Sequence, residues 1–180
     1  MQRKIQVTNA HKWPTLENER VPNAAEMTEI FNSATPRDAI IISLMAKSGL
    51  RPEVIGNHNG TDGLKIKDLT DIAIQGGVAI CTQKPIRIIV RAELSKTRHQ
   101  YFTLATTAAT YRILSYLNKR LSRGEALHGN MPVIAPESGA NNRRGLNKDK
   151  PFLPTMHISR RVRQVFRPRF TWRPCSKGIL

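Results

Sequence analysis

Residues 35–49 have the sequence TPRDAIIISLMAKSG and set the centre of the predicted fold. Thr35 is a favourable N-cap and Pro36 suits the first helical position, so the stretch predicts a helix that begins at residue 36. The body of this helix is apolar on nearly every side, which is typical of a central, buried helix. Gly49 suits a left-handed C-cap, and we expect the helix to end there.

Two kinds of helical signal flank this segment. Asn23 followed by Glu26 three residues later predicts a capping box and a short helix that ends near Ser33. Apolar residues at helical spacing predict further helices over residues 106–121 and 156–167. The residues expected to face the core of these two helices are Tyr111, Leu114, Leu117, Leu121, Ile158, Val162, Val165 and Phe166.

A strand pair is predicted in the middle of the chain. The β-branched run at residues 86–91 follows Pro85 and is the clearest strand, with residues 99–104 as its partner. Residues 93–98 are then a hairpin turn with Lys96 at its tip. Shorter extended pieces are expected over residues 64–69 and 78–81. The fold class predicted is α+β, mainly α with a small antiparallel sheet.

Composition indicates a basic globular chain. Its 180 residues suggest one domain, and 29 Lys and Arg against 13 Asp and Glu give a net charge of +16. No secretory signal or run of about 18 apolar residues is visible. Two cysteines are too few for a disulfide framework or a four-ligand zinc site. We therefore expect a cytoplasmic protein that binds a polyanion, most often nucleic acid.

The charge is uneven along the chain. Residues 143–180 carry eleven Lys and Arg but one acid, Asp149. Residues 1–22 are expected to be an arm or linker, and residues 136–150 a mobile loop. Phosphate contact is the expected use of the basic end, and a solvated charged face is the alternative. The candidate DNA contacts in the last helix are Arg160, Arg161 and Arg163.

Most motifs that mark enzymes are missing from the sequence. It contains no phosphate-binding Walker loop, no G-x-G-x-x-G and no G-x-S-x-G. The five histidines are scattered, without the spacing of metal ligands. We therefore expect neither a metal nor a cofactor.

The segment that follows the central helix carries candidate phosphate chemistry. In residues 48–54, SGLRPEV, Arg51 follows the end of a rigid helix and Glu53 lies close in sequence. An arginine held in this way presents a planar fork to a phosphate. The alternative is that Arg51 caps the C-terminus of the helix.

Four segments in this order resemble the catalytic domain of tyrosine recombinases, the phage-type integrases, and are most similar to the integrases of archaea and their mobile elements. The resemblance implies a partial catalytic domain over residues 23–174. It implies that Arg51 clamps the scissile phosphate, that Glu53 orients Arg51, and that Lys96 enters the minor groove and protonates the leaving oxygen. It also places Arg98 and His99 beside the DNA. The four segments are SGLRPEV (48–54), DGLKIKDL (62–69), ELSKTRHQYF (93–102) and WRP (172–174).

The resemblance stops after Pro174. Members of the family continue with a segment that supplies a second catalytic arginine and later the nucleophilic tyrosine, but here Gly178 stands where that arginine belongs. Residues 175–180 can be encoded so that the next reading frame gives Val-Leu-Arg-Ala-Tyr, and a frameshift is our hypothesis for this tail. We expect the chain to lack a nucleophile and to leave DNA uncleaved by itself.

Three functions remain open from the sequence. The first is an integrase or site-specific recombinase, nucleoid-associated and bound to double-stranded DNA, that is catalytically incomplete. The second is a non-catalytic DNA-binding remnant that modulates an intact integrase protomer. The third is an unrelated basic RNA-binding protein, against which we note that the adjacent Tyr101 and Phe102 would alternate between the faces of a strand.

Overall fold

A computed structural model describes residues 22–136 and 150–166. These residues form an α+β arrangement of helices and two separate two-stranded antiparallel sheets, which confirms the predicted α+β class, although a single small sheet was expected. The described residues divide into two compact units, residues 22–32 and residues 33–136 with 150–166. In chain order the elements are α1 (Ala24–Ser33), α2 (Pro36–Ser48), α3 (Pro52–Ile55), β1 (Ile72–Gln75), β2 (Val78–Cys81), β3 (Ile86–Val90), β4 (Tyr101–Ala105), α4 (Thr107–Leu121) and α5 (Thr155–Phe166).

The start of α1 has the predicted capping box. The backbone N–H of Glu26 donates to the Asn23 side chain at 2.9 Å, and the backbone N–H of Asn23 donates to the Glu26 carboxylate at 2.9 Å. Each bond satisfies a donor that the first helical turn leaves without an intrahelical partner. The helix runs to Ser33, as the sequence predicts.

Both ends of α2 form as predicted. Thr35 is the N-cap and accepts a hydrogen bond from the backbone N–H of Asp38, with Pro36 in the first turn. Gly49 adopts the left-handed conformation with φ of 66°, and its N–H donates to the carbonyl of Leu44. The body of α2 is buried and forms the centre of the larger unit. Its core partners include Ile86, Ile88, Ile113, Leu117 and Ile158.

The strand pair β3–β4 is confirmed, and its register pairs Ile86 with Ala105 and Val90 with Tyr101. The extended piece predicted over 78–81 is β2, but its partner β1 was missed. The prediction of an extended piece over 64–69 is wrong in its second half, because Ile66–Asp68 forms a 3-10 turn. The Asp68 side chain closes that turn by accepting from the backbone N–H of Lys65 at 2.9 Å.

The helix α4 forms where predicted, and of its predicted core residues Leu117 is fully buried while Leu114 and Leu121 are partly buried against the core. Ala109, Ile113 and Leu117 are fully buried because α4 packs against α2 and β2 along that stripe. Tyr111 was predicted to lie in the core and is 57% exposed. Its ring instead lies 4.1 Å from the ammonium of Lys84, which also donates to its hydroxyl at 3.0 Å.

The helix α5 also forms where predicted and packs against both α2 and α3. Ile158 is fully buried, whereas Val162, Val165 and Phe166 are partly buried. The first residue of α5 is tied to the loop after α3, since the Thr155 hydroxyl donates to the carbonyl of Gly56 at 2.7 Å. This contact fixes where α5 begins.

Several predictions concern residues outside the described ranges. The arm at 1–22, the loop at 136–150, the WRP segment at 172–174 and the tail at 175–180 lie wholly or almost wholly there. In the ranges that the structure does describe, no helix has both the length and the apolar character needed to cross a membrane.

Candidate nucleic-acid interface

Arg51 lies in the sharp turn between α2 and α3. Its backbone is the N-cap of α3, and its carbonyl accepts from Val54 N–H at 3.0 Å. The side chain is exposed and makes no hydrogen bond or ion pair within the described residues. It therefore does not cap the carbonyls of α2, the alternative that the sequence left open. Gly49 and Leu50 instead donate their N–H groups to the carbonyl of Leu44.

Glu53 lies in the first turn of α3 and is also exposed. Within the described residues, no hydrogen bond or ion pair joins the Glu53 carboxylate to Arg51. Orientation of Arg51 by Glu53 stays a prediction. What fixes the Arg51 backbone is the left-handed turn at Gly49 before it and Pro52 after it.

Lys96 lies in the connection between β3 and β4. This connection is longer than the predicted turn, because it runs from residue 91 to residue 100 and contains a 3-10 turn at Ala92–Leu94. The Ser95 N–H donates to the carbonyl of Arg91 at 3.1 Å, which tightens the turn just before Lys96. The Lys96 side chain is exposed and has no partner among the described residues.

Arg98 and His99 follow in the same connection, and both are exposed. Arg98 has a positive φ of 58°, an uncommon backbone conformation for a residue with a Cβ. Its guanidinium donates to the carbonyl of Glu93 at 3.4 Å, across the turn that carries Lys96. Arg98 therefore lies in the connection where the sequence placed it, whereas His99, predicted to begin the partner strand, precedes β4, which begins at Tyr101.

A hydrogen bond ties the strand pair to the segment of Arg51. The Thr103 hydroxyl on β4 donates to the carbonyl of Ser48 at 2.9 Å, at the last residue of α2. The strand β4 packs against α2 around this contact. The structure thus brings the β3–β4 pair and Arg51 to the same end of α2.

The three arginines of α5 divide into two groups. Arg160 and Arg163 are exposed and have no partner within the described residues. Arg161 is turned toward α2 and binds the Asp38 carboxylate through Nε at 2.5 Å and Nη2 at 3.0 Å. Arg161 was predicted to contact DNA, but its guanidinium is engaged with a carboxylate that is 8% exposed. In this arrangement Arg161 holds α5 against α2.

A cluster of charged side chains around Arg91 was not predicted from the sequence. Arg91 follows β3, and its guanidinium binds the Asp62 carboxylate at 2.9 and 3.0 Å, the Gly63 carbonyl at 2.7 Å and Asp68 at 3.2 Å. Burial alone would raise the pKa of Asp62, but donation from Arg91, Gly63 N–H and Lys65 outweighs it and lowers that pKa to about 2. The cluster clamps residues 62–68 to the end of β3.

The outer face of the β3–β4 pair is apolar and exposed. Phe102 is 63% exposed and Leu104 is 45% exposed, and across the sheet they pair with Ile89 and Arg87. Tyr101 at the start of β4 is also exposed, so both aromatic residues reach solvent, although neighbouring strand residues alternate faces. This face was not predicted.

The described residues contain no group of three His, Cys, Asp or Glu side chains that could hold a metal ion. No protein-family model, curated protein or solved structure matches the chain.

Proposed function

We propose that the chain binds double-stranded DNA in the manner of a tyrosine recombinase, with Arg51 on a backbone phosphate and Lys96 in the adjacent groove. One observation carries the proposal. Arg51 and Lys96 are exposed cations without partners among the described residues, Arg51 in the turn after α2 and Lys96 in the β3–β4 connection, and the Thr103–Ser48 bond joins β4 to the end of α2. Cations that stabilise the fold have partners, as Arg91 and Arg161 do.

The chemistry of these two side chains suits their proposed roles. The planar guanidinium of Arg51 can form two parallel hydrogen bonds to one phosphate, and its backbone is held by neighbouring Gly49 and Pro52. The flexible stem of Lys96 lets a point charge extend from the turn into a groove. Arg160 and Arg163 add exposed positive charge on α5. This helix packs against α3, whose N-cap position is Arg51.

The proposal includes DNA binding without strand cleavage. The chain has three tyrosines, and two of them have engaged hydroxyls. The hydroxyl of Tyr111 accepts from Lys84. Burial raises the pKa of Tyr116, against the influence of Arg120 and of the Ala135 N–H, which disfavours the phenolate that would attack a phosphate. Tyr101 is exposed but lies in the ladder opposite Val90.

The first test measures the affinity for a 30-base-pair duplex by fluorescence anisotropy at several salt concentrations. Each of Arg51→Gln and Lys96→Gln should weaken binding and reduce the slope of log K against log salt by about 0.9, the value expected for one lost phosphate contact. Lys67→Gln is the matched control, since Lys67 is an exposed cation whose side chain has no partner among the described residues. Equal slopes for all three variants would contradict the proposal.

The second test addresses cleavage directly. The chain is incubated with a nicked suicide duplex that traps a covalent phosphotyrosyl link, and the products are separated on a denaturing gel. We expect no protein–DNA adduct. An adduct would overturn this part of the proposal, and Tyr101→Phe would then show whether the exposed tyrosine forms it.

A second candidate function, RNA binding, is favoured by the outer face of the β3–β4 pair. Exposed Phe102 lies beside Leu104, and Arg87 is the cross-strand neighbour of Leu104. An aromatic ring near a cation can stack on an unpaired base. In that case Phe102→Ser should weaken binding to a single-stranded RNA and Arg51→Gln should not. The DNA proposal predicts the reverse, with duplex DNA as the stronger competitor.

A further inference from the structure

The hairpin β1–β2 is a two-stranded sheet that no third strand joins within the described residues. The other sheet is extended, because Leu69 forms a bridge to Ile88 beside β3. A two-stranded sheet by itself is marginally stable in water, and the outer edge of each strand has no neighbouring ladder. The backbone groups at the two outer edges of β1–β2 therefore need other partners or water.

The outer edge of β2 is closed by a side chain. Asn118 on α4 accepts from the Ala79 N–H at 2.7 Å and donates to the Ala79 carbonyl at 3.2 Å. Its amide thus takes the place of a neighbouring peptide group. Because both backbone groups of Ala79 point to Asn118, Ala79 and its register partner Ile74 form a pair that exchanges no hydrogen bonds.

The outer edge of β1 is open at Ile74. Hydrogen-bonded and non-hydrogen-bonded pairs alternate along an antiparallel ladder, and donation from the Thr82 N–H to the Asp71 carbonyl at 2.9 Å fits this alternation. The N–H and C=O of Ile74 therefore point away from β2. Neither group has a partner among the described residues, and Ile74 is only partly buried.

No charged side chain protects this edge. Residues 72–83, IAIQGGVAICTQ, contain no Lys, Arg, Asp, Glu or His, whereas 23% of the chain is charged. Exposed edge strands usually carry Lys, Pro or a bulge that prevents pairing with another chain. The outer face of the hairpin is also apolar, since Val78 is 49% exposed and Ile80 is 37% exposed. In a chain with a net charge of +16, this hairpin is a surface where a second copy can approach without direct contact between like charges.

We propose that two copies of the chain pair through β1 about a two-fold axis at Ile74, which joins the two hairpins into a four-stranded sheet. Antiparallel pairing of Ile74 with Ile74 of the second copy exchanges both N–H···O bonds, and a contact between identical surfaces closes as a dimer. The same register places the Ile72 carbonyl opposite Gly76 of the second copy. The strand β1 has only four residues, so the dimer should be weak and dependent on concentration.

The first experiment measures the mass of the nuclease-treated full chain by sedimentation velocity over a range of concentrations. High salt screens the repulsion between copies and releases bound nucleic acid. We expect the average mass to rise from that of a monomer toward that of a dimer. A mass that stays at the monomer value, or that rises beyond a dimer, would overturn the proposal. Neither Arg51 nor Lys96 takes part in the pairing, so the result is independent of the DNA proposal.

The second experiment places like charges opposite each other across the axis. Ala73 and Gln75 lie on the outer face of β1, and the proposed register sets residue 73 of one copy opposite residue 75 of the other. The double variant Ala73→Lys, Gln75→Lys should raise the dissociation constant of the dimer at least about tenfold. Mixing it with Ala73→Glu, Gln75→Glu should restore association.

The matched control for these charges is Val78→Lys, Ile80→Lys. Val78 and Ile80 are the cross-strand neighbours of Gln75 and Ala73 on the same face, one strand further from the axis. This control adds the same charge but should change the dissociation constant less. Equal weakening by the two lysine double variants would contradict the proposed register.

The third experiment tests the axis by disulfide cross-linking, without added charge. In a Cys81→Ser, Cys175→Ser background, Ile74→Cys places two thiols at the axis. The Cα atoms of a hydrogen-bonded antiparallel pair are about 5.5 Å apart, which a disulfide can span. We expect a covalent dimer for Ile74→Cys under mild oxidation and little for Gln75→Cys, whose two copies lie out of register. Equal cross-linking at both positions, or preferential cross-linking of Phe102→Cys on the exposed face of β4, would overturn the proposal.

Discussion

At the N-terminal end of α2 the guanidinium of Arg161 is bound to Asp38, and those of Arg37 and Arg120 lie buried in a cavity wall. At the C-terminal end Arg51 projects into solvent from a tight turn and has no partner within the described residues. The same residue type thus serves the packing of helices at one end and remains available to a ligand at the other.

The difference follows from the cost of desolvating charge. A buried guanidinium is tolerated only when carboxylates or carbonyls replace its hydration, whereas an exposed one keeps its water and needs no partner. The net charge of +16 therefore does not measure the capacity to bind phosphate. The cations to count are those that the fold leaves without a partner.

The largest effect on stability is expected from substitution of Arg91. This substitution tests whether ion pairing, and not position in the fold, distinguishes arginines that stabilise the structure from arginines that remain available to a ligand. Arg91→Met leaves Asp68, only 4% exposed, and Asp62 without their guanidinium. We expect a loss of about 3–5 kcal/mol in the free energy of unfolding, measured by urea denaturation. Lys96→Met in the following turn should change it by no more than about 0.5 kcal/mol.

The next effect is expected at Asp38. Asp38→Ala removes the partner of Arg161 and the carboxylate that accepts from the Thr35 hydroxyl at 2.7 Å. The expected destabilisation is about 3 kcal/mol, the lower end for a broken buried pair, because Arg161 is 26% exposed. Glu53→Ala at the other end of α2 is the matched control, and a similar loss there would erase the contrast between the two ends.

Low pH should weaken the Arg91 cluster by protonating Asp62. The loss of stability should be smaller than that from Arg91→Met, because Asp62 is only one of the two carboxylates that bind Arg91. The pKa of Asp62 in the folded chain is about 2, below its ordinary value of 3.8. Its contribution is therefore complete above about pH 4 and is lost as the pH falls from about 4 to 2. The difference in unfolding free energy between the parent chain and Arg91→Met should narrow over that window, and parallel pH curves would contradict the prediction.

The smallest effect is expected at Gly49, the turn that sets the direction of Arg51. A Cβ at this position meets no atom within 4 Å, so Gly49→Ala adds only the strain of a left-handed backbone at φ of 66°. The expected cost is about 1 kcal/mol, measured as a shift in the thermal melt. Gly49→Asn, which tolerates this conformation better, should recover part of the loss.

The local features were predictable from the sequence because they depend on neighbours three or four residues apart. Asn23 and Glu26 cap α1, Thr35 caps α2, and Gly49 ends it, as their positions indicated. Lys96 could likewise be assigned to a turn because the strand signals on both sides of it were clear.

The errors arose where distant contacts decide the structure. In the sheet β1–β2, only β2 was predicted. This sheet is held in place by Asn118 on α4, whose side chain accepts from the N–H of Ala79 and donates to its carbonyl. The 3-10 turn at residues 66–68 depends partly on donation from Ile66 N–H to the carbonyl of Met131. Tyr111 fits the helical period of a core residue but faces Lys84 instead.

The positive charge, the caps of α1 and α2 and the positions of β2, β3 and β4 could be inferred from the sequence, because these depend on composition and on short-range backbone bonds. Which cations are paired depends on tertiary contacts, since Arg161 and Asp38 lie 123 residues apart in the chain. The same holds for the cavity, whose walls come from α2, α4 and residues 135–136. Burial and pairing belong to the packed molecule, and they separate a cation that stabilises the fold from one that is free to bind a phosphate.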